Sequence, residues 1–225
     1  MIVMKFGGTS VGNAEAISQA ASIVKQSLAR KPVVVVSAMT KITDALMRLA
    51  EESSKGGGSE TARFIRSVHE RACETLGIDK RICTEELREL EQLANRWLGA
   101  PVDAGRLDLF QSFGERMCAK IVAAKLSGDG VPARAYNAWD IGMITDGRFG
   151  HAEPLASSYA LIKDAIASMD ETPVITGFIG KTEAGEVTTR GHRGRNHPDL
   201  EGGRRHHDGR SAHRAASAPR AGARL

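Results

Sequence analysis

Residues 1–6 are apolar except for Lys5 and run into Gly7-Gly8-Thr9-Ser10, after which Ile17, Ala20, Ala21, Val24 and Leu28 recur at three- and four-residue intervals. This pattern predicts a strand, a tight glycine turn and an amphipathic helix with Asn13 as its N-cap. Pro32 then opens Val33-Val34-Val35-Val36, a continuous β-branched run of the kind a parallel sheet buries on both faces. Strand, helix and strand make a βαβ unit. In open α/β sheets ligands gather beyond the carboxyl ends of the strands, where Gly7-Gly8 and Ser37-Ala38-Met39 fall.

Helical spacing resumes at Ile42 with Leu46, Leu49 and Ala50, placing Thr43 and Asp44 in a first turn, and Gly56-Gly57-Gly58-Ser59 interrupts it as a flexible loop. Two more stripes, Ile65/Val68/Ala72/Leu76 and Leu87/Leu90/Ala94/Trp97, read as core faces. Residues 107–126 carry Phe110, Phe113, Met117, Ile121 and Ala124 on one stripe and Ser112, Glu115, Ala119 and Val122 on a second. A helix apolar on both sides is buried. Its Glu115 either reaches solvent or points into a polar pocket. Beyond it the pattern predicts strands at 131–136 and 141–145, a hairpin loop at 146–150 and a helix marked by Leu155, Tyr159, Ile162, Ile166 and Met169. One buried strand at 173–180 and a short hairpin at 182–189 complete it. Strands alternating with helices predict a layered α/β fold with a largely parallel sheet.

Composition changes this picture mainly at the carboxyl end. Of the net charge of +4, residues 190–225 carry +6, from nine Arg against Asp199, Glu201 and Asp208, which leaves −2 for the first 189. The same segment has no Val, Ile, Phe, Tyr, Trp, Met or Lys and holds five of the seven His, so disorder is expected. Two readings of it stay open: polyanion binding through its arginines, and a tail without selected function. With no aromatics for base stacking, nucleic acid is not an expected partner. Hydrophobic residues make up 41% of the 225, enough for a core, with no run of eighteen apolar residues. Neither a membrane span nor a secretory signal is expected. Cys73, Cys83 and Cys118 are odd in number and lack Cys-x-x-Cys spacing, which predicts reduced thiols in a cytoplasmic protein and neither disulfide nor cysteine metal site.

The candidate chemistry lies at the first turn. Glycines let the backbone approach an anion, N–H groups at a helix start would face it, and Lys5 can neutralise charge on a transferring phosphoryl group. The competing reading is a glycine turn beside a solvated lysine. The string matches neither Gly-x-x-x-x-Gly-Lys-[Ser/Thr] nor Gly-x-Gly-x-x-Gly, so neither a P-loop nor a Rossmann site is indicated.

Lys5-Phe6-Gly7-Gly8-Thr9-Ser10-Val11 nevertheless resembles the signature of the aspartate kinases, members of the amino acid kinase family. Val36-Ser37-Ala38-Met39 with Ile42-Thr43-Asp44 is similar to that family's second strand and substrate loop. Ser112-Phe113-Gly114-Glu115-Arg116-Met117 is similar to its Ser-x-Gly-Glu helix, and Val174-Ile175-Thr176-Gly177-Phe178-Ile179-Gly180 with Thr182-Glu183-Ala184-Gly185-Glu186 to its glycine strand and hairpin. The resemblance implies a three-layer αβα sandwich of amino acid kinase type, incomplete in its C-terminal half, over residues 1–189. It implies phosphoryl transfer from ATP, with Mg2+ accompanying the nucleotide, to the side-chain carboxylate of L-aspartate, the first step towards lysine, threonine and methionine. By position, Lys5 would be catalytic; Lys5, Phe6, Gly7, Gly8 and Ser10 would hold ATP; Ser37, Thr43, Glu115 and Phe178 would hold aspartate. No side chain is assigned to metal, and a homo-oligomer stays open.

The resemblance stops where the composition changes. The family continues with Leu-Gly-Arg-Gly-Gly-Ser-Asp, whereas Arg190-Gly191-His192-Arg193-Gly194-Arg195-Asn196-His197-Pro198-Asp199 stands here, and only the Arg195-to-Asp199 spacing is kept. A truncated or frameshifted gene near codon 190 would yield such a switch. Three readings therefore compete: a working aspartate kinase of minimal form, an inactive fragment retaining at most ligand binding, and a polyanion binder acting through its tail. The expectation is that the chain as it stands has no significant kinase activity.

Overall fold

The amino-terminal βαβ unit forms where the pattern puts it. Strand β1 (Ile2–Phe6) leads through the glycine turn to helix α1 (Ala14–Gln26), and Asn13 caps that helix by accepting from the Ala16 amide at 2.8 Å. Strand β2 (Pro32–Val36) pairs with β1 in parallel, from Ile2 opposite Pro32 to Phe6 opposite Val36. The structure is a computed structural model and describes residues 1–190. The arginine-rich segment 191–225, with the Arg195–Asp199 spacing, lies outside the described residues.

Four helices follow: α2 (Ile42–Ser54), α3 (Ser59–Leu76), α4 (Thr84–Arg96) and α5 (Ala104–Gly128). Strand β3 (Ala133–Tyr136), helix α6 (Ser157–Ala167) and strand β4 (Thr172–Thr176) complete a four-stranded parallel sheet in the order β1-β2-β4-β3. Strands β5 (Ile179–Lys181) and β6 (Val187–Thr189) form an antiparallel hairpin, whose first strand lies upstream of the 182–189 segment expected to hold both.

Successive side chains of a strand face opposite sides, and β2 shows the result. Val34 and Val36, with Phe6 and Val174, enter a large core filled by α1 to α5. Val33, with Ile175, enters a smaller one shared with Ala138, Ile141 and the inner face of α6. These are the three layers. Phe110, Phe113, Met117 and Ile121 on α5 are all buried, and burial of such side chains is worth about 1.5–3 kcal/mol each. Cys73, Cys83 and Cys118 are buried free thiols. Among the described residues no helix is long and apolar enough to cross a membrane.

Two strand predictions need correction. Residues 141–145 do not form a ladder strand: Ala138–Ile141 is a 3-10 turn, Gly142 takes φ +93°, and only Ile144 and Thr145 make single bridges, to Lys181 and Pro154. Local capping wins there. The Asn137 amide donates to Asp140 Oδ2 at 3.1 Å and the Ala138 amide to Thr176 Oγ1 at 2.8 Å. Residues 173–180 are likewise not one strand but break at Gly177-Phe178, where Phe178 has φ +58°. A Cβ on Gly177 would lie 2.9 Å from the Val36 carbonyl oxygen, so the chain turns where it passes closest to β2.

Candidate active site

Phe6, Val36 and Thr176 are neighbours in register, so Gly7, Ser37 and Gly177 leave the sheet side by side. The Ser37 amide donates to the Phe6 carbonyl at 3.1 Å and the Gly177 amide to the Val36 carbonyl at 2.7 Å, tying the three exits together. The glycine turn closes on itself through Ser10 and Val11 amides on the Gly7 carbonyl, at 2.8 and 3.2 Å, and Thr40 Oγ1 donates to the Gly8 carbonyl at 3.2 Å. A Cβ on Gly12 would sit 2.2 Å from Thr40 Oγ1 and 2.8 Å from the Gly8 oxygen, so packing requires glycine there. Gly7 is different. A Cβ on it would meet nothing within 4 Å and its φ is not positive, so neither packing nor backbone geometry calls for glycine. Its backbone faces open space, and the Gly8 and Thr9 amides donate to nothing among the described residues.

Helix α1 begins at Ala14 with Asn13 as its cap, so Thr9 to Gly12 intervene between Gly7-Gly8 and the helix.

A cleft of about 180 Å³ is lined by Lys5, Gly177, Phe178, Thr188, Thr189 and Arg190 among others. Lys5 Nζ stands 4.5 Å above the Phe178 ring, a cation–π contact that places the ammonium at the cleft. Phe178 is 39% exposed, and its carbonyl accepts from the Arg190 amide at 2.9 Å.

Glu115 does not reach solvent. It is 6% exposed, and Oε1 accepts from the Ala38 amide at 3.3 Å, at the carboxyl end of β2. Gly114 permits this: a Cβ there would lie 2.7 Å from that of Ala38, so only glycine lets α5 press so close. Burial pushes the Glu115 carboxyl up to about 7. Ser37 is buried beside it and Thr43 half-buried on the first turn of α2. Of the predicted site residues, Lys5 and Phe178 line the cleft, whereas Phe6, Gly7, Gly8, Ser10, Ser37, Thr43 and Glu115 are not among its lining residues.

The sequence reading passed over Asp108, also on α5. It is buried, Oδ2 accepts from the Gly150 and Thr189 amides, each at 2.8 Å, and Oδ1 accepts from Thr189 Oγ1 at 2.7 Å. Burial holds its carboxyl above the usual range against the pull of those bonds. Asp108, Ser112 and Glu115 occupy positions i, i+4 and i+7, the polar members of the otherwise apolar buried set of α5. That spacing was visible in the sequence. Thr145 and Thr188, joined by their hydroxyls at 2.6 Å, were also missed.

The model of the "Amino acid kinase family" matches residues 1–198. Aspartokinase 3, chloroplastic, of Arabidopsis thaliana is 35% identical over 189 residues, 80% of this chain and 34% of the relative. Lysine-sensitive aspartokinase 3 of Escherichia coli K12 is 33% identical over 199 residues, 86% of this chain and 44% of the relative. The crystal structure of E. coli aspartokinase III in complex with aspartate and ADP superposes with a TM-score of 0.72 at 28% identity, over 84% of this chain and 43% of that one. The chain therefore spans between a third and a half of the length of these relatives. With a parallel sheet of the expected architecture and a family match over nearly all of the described residues, the chain belongs to the amino acid kinase family.

Proposed function

We propose that this chain forms the phosphate and amino-acid end of an aspartate kinase site, where ATP transfers its γ-phosphoryl group to the side-chain carboxylate of L-aspartate. The observation that carries the reading is the open backbone of Gly7, beside Lys5, at the carboxyl end of β1. A glycine that its own protein does not need leaves room for something outside the protein. The nucleophile is already a carboxylate, so no general base is required, and catalysis reduces to alignment and charge neutralisation. In this reading Lys5, steadied over Phe178, meets the charge on the transferring phosphoryl group, and Phe6, Gly7, Gly8 and Ser10 border the nucleotide phosphates. Glu115 answers the substrate ammonium, with Ser37 and Thr43 at its side.

No group of three or more His, Cys, Asp or Glu able to hold a metal occurs among the described residues. In this reading Mg2+ would come with the nucleotide phosphates, where it would neutralise charge. The buried thiols agree with a reducing compartment, and we place the protein in the cytoplasm. The product acyl phosphate belongs to the route towards lysine, threonine and methionine.

A second reading, ligand binding without turnover, is favoured by the sequence 190–199, which lacks Arg-Gly-Gly-Ser-Asp. Titration calorimetry with L-aspartate and with MgADP tests the shared part: binding of neither sinks the site assignment. Hydroxylamine trapping separates the two readings, since hydroxamate formed with MgATP and aspartate at roughly 1 s⁻¹ or more means a working kinase. We expect none from this chain.

A further inference from the structure

Ala152, Thr188 and Thr189 of the cleft lining come from a loop and a short hairpin, and both of these segments converge on one side chain of α5. Gly150 lies 42 residues from Asp108 and Thr189 lies 81, yet their amides share the same oxygen, Oδ2, while Thr189 Oγ1 takes Oδ1. Further bonds extend this arrangement. The Ala152 amide donates to the Thr189 carbonyl at 3.0 Å, fastening the loop to the hairpin. Arg190, next in the chain, donates its amide to the Phe178 carbonyl, and the Phe178 ring carries Lys5.

We propose that Asp108 is a positioning residue of the cleft, fixing the relative placement of the 146–153 loop and the end of β6, and through Arg190 the carbonyl of Phe178. This assignment rests on the reading of the cleft as a phosphoryl-transfer site. Among the described residues Asp108 accepts three hydrogen bonds, from two amides and a hydroxyl, and forms no salt bridge, although His151, next to Gly150, favours its charged form. A buried carboxylate without a salt-bridge partner keeps much of its desolvation penalty, which a neutral apolar residue at this point of α5 would not incur. What the carboxylate supplies is two charged acceptor oxygens aimed at donors from two separate segments, and asparagine reproduces only part of that. With its carbonyl towards the two amides, its NH2 faces Thr189 Oγ1, which must turn from donor to acceptor, and the bonds are no longer charge-assisted.

The test combines Asp108→Asn, Thr189→Val and Thr189→Ser with two measurements on the whole chain: amide hydrogen exchange, and L-aspartate and MgADP affinity by calorimetry. Asp108→Asn should speed exchange roughly tenfold or more over residues 147–152 and 186–190, leave residues 2–6 and 32–36 as in the parent, and raise the Kd roughly tenfold. Thr189→Val removes only the Oδ1 bond and should show a smaller change in the same places, about fivefold. Thr189→Ser keeps the hydroxyl and should restore parent behaviour. Exchange that rises uniformly, or a serine variant no better than valine, would reduce Asp108 to general stability and overturn the proposal. So would local loosening with an unchanged Kd. If the parent chain binds neither ligand, the phosphoryl-transfer reading fails, and the exchange pattern by itself decides whether Asp108 organises these segments. Should Asp108→Asn not fold, the valine and serine pair carries the same decision.

Discussion

Glu115→Gln should make the ligand-free protein more stable, and only at neutral and alkaline pH. The carboxyl is buried at the end of β2 with the Ala38 amide as its neighbour, and titrates at about 7 instead of its ordinary 4.5. A folded-state value raised above the unfolded one means that the stabilising, protonated form is held below about 4.5 and lost as pH rises through 7. At about 1.4 kcal/mol per pH unit, the charged form destabilises the fold by roughly 3 kcal/mol at pH 8. Glutamine is neutral throughout and keeps an oxygen for the Ala38 amide. The difference in midpoint between variant and parent should therefore be near zero at pH 4 and reach roughly 6–12 °C at pH 8 for a domain of this size. Comparing the two proteins matters because buried His69, whose imidazole is pushed down to about 4, acts in the opposite sense and cancels in the difference. Thermal melts at pH 4, 6 and 8 provide the assay. A difference that does not change with pH, or a variant less stable at pH 8, would refute the argument. Under the proposed assignment of Glu115 to the substrate ammonium, the same substitution should weaken aspartate binding by a charge-assisted contact, about 1.5–3 kcal/mol.

Other substitutions separate packing from ligand contact. Gly7→Ala should leave stability within about 0.5 kcal/mol, because the added methyl meets no protein atom within 4 Å, and under the proposed assignment it should weaken MgADP binding in calorimetry. Gly12→Ala should instead lower the melting midpoint, by an overpacking cost of about 1–3 kcal/mol, since its methyl meets Thr40 and the Gly8 carbonyl. If turnover is detected at all, Lys5→Ala should cut kcat by about 10²–10³ with little change in the KM for aspartate, and an unchanged kcat removes it from the mechanism. Phe178→Gly should relieve a left-handed backbone costing about 1–2 kcal/mol, while weakening ligand binding through loss of the ring under Lys5; equal or tighter binding would contradict that role.

The elements that could be read from the sequence were those whose local preferences and packing agree. Asn13 caps α1, the valine run of β2 is buried, and the two-sided stripe of α5 lies in the core, because each pattern has one low-energy solution. Residues 141–145 misled because alternation at Ile141, Met143 and Thr145 looks like a strand, whereas Asn137 and Asp140 offered the backbone a closer partner. The break at Phe178 had no local cue, since a left-handed phenylalanine follows from the approach of Gly177 to Val36, a contact between distant segments. Glu115 stood out through its motif. Asp108 was equally buried, but its partners Gly150 and Thr189 come from chain far downstream, so its meaning depended on topology.

The position of β4 between β2 and β3 also constrains how the molecule is made. Val34 and Val174 are partners 140 positions apart, so the centre of the sheet cannot close until almost all of the described chain has left the ribosome. Such non-local pairing slows folding because loop entropy is lost before contacts are gained. Helix α5 ends at Gly128 and β4 at Thr176, a gap that takes roughly 2–10 s to synthesise at about 5–20 residues per second. Throughout that interval Val174 has yet to join the core that α5 fills, so the nascent chain presents apolar surface to its surroundings. Chaperone demand during translation should rise and fall with the time a ribosome spends between these two positions.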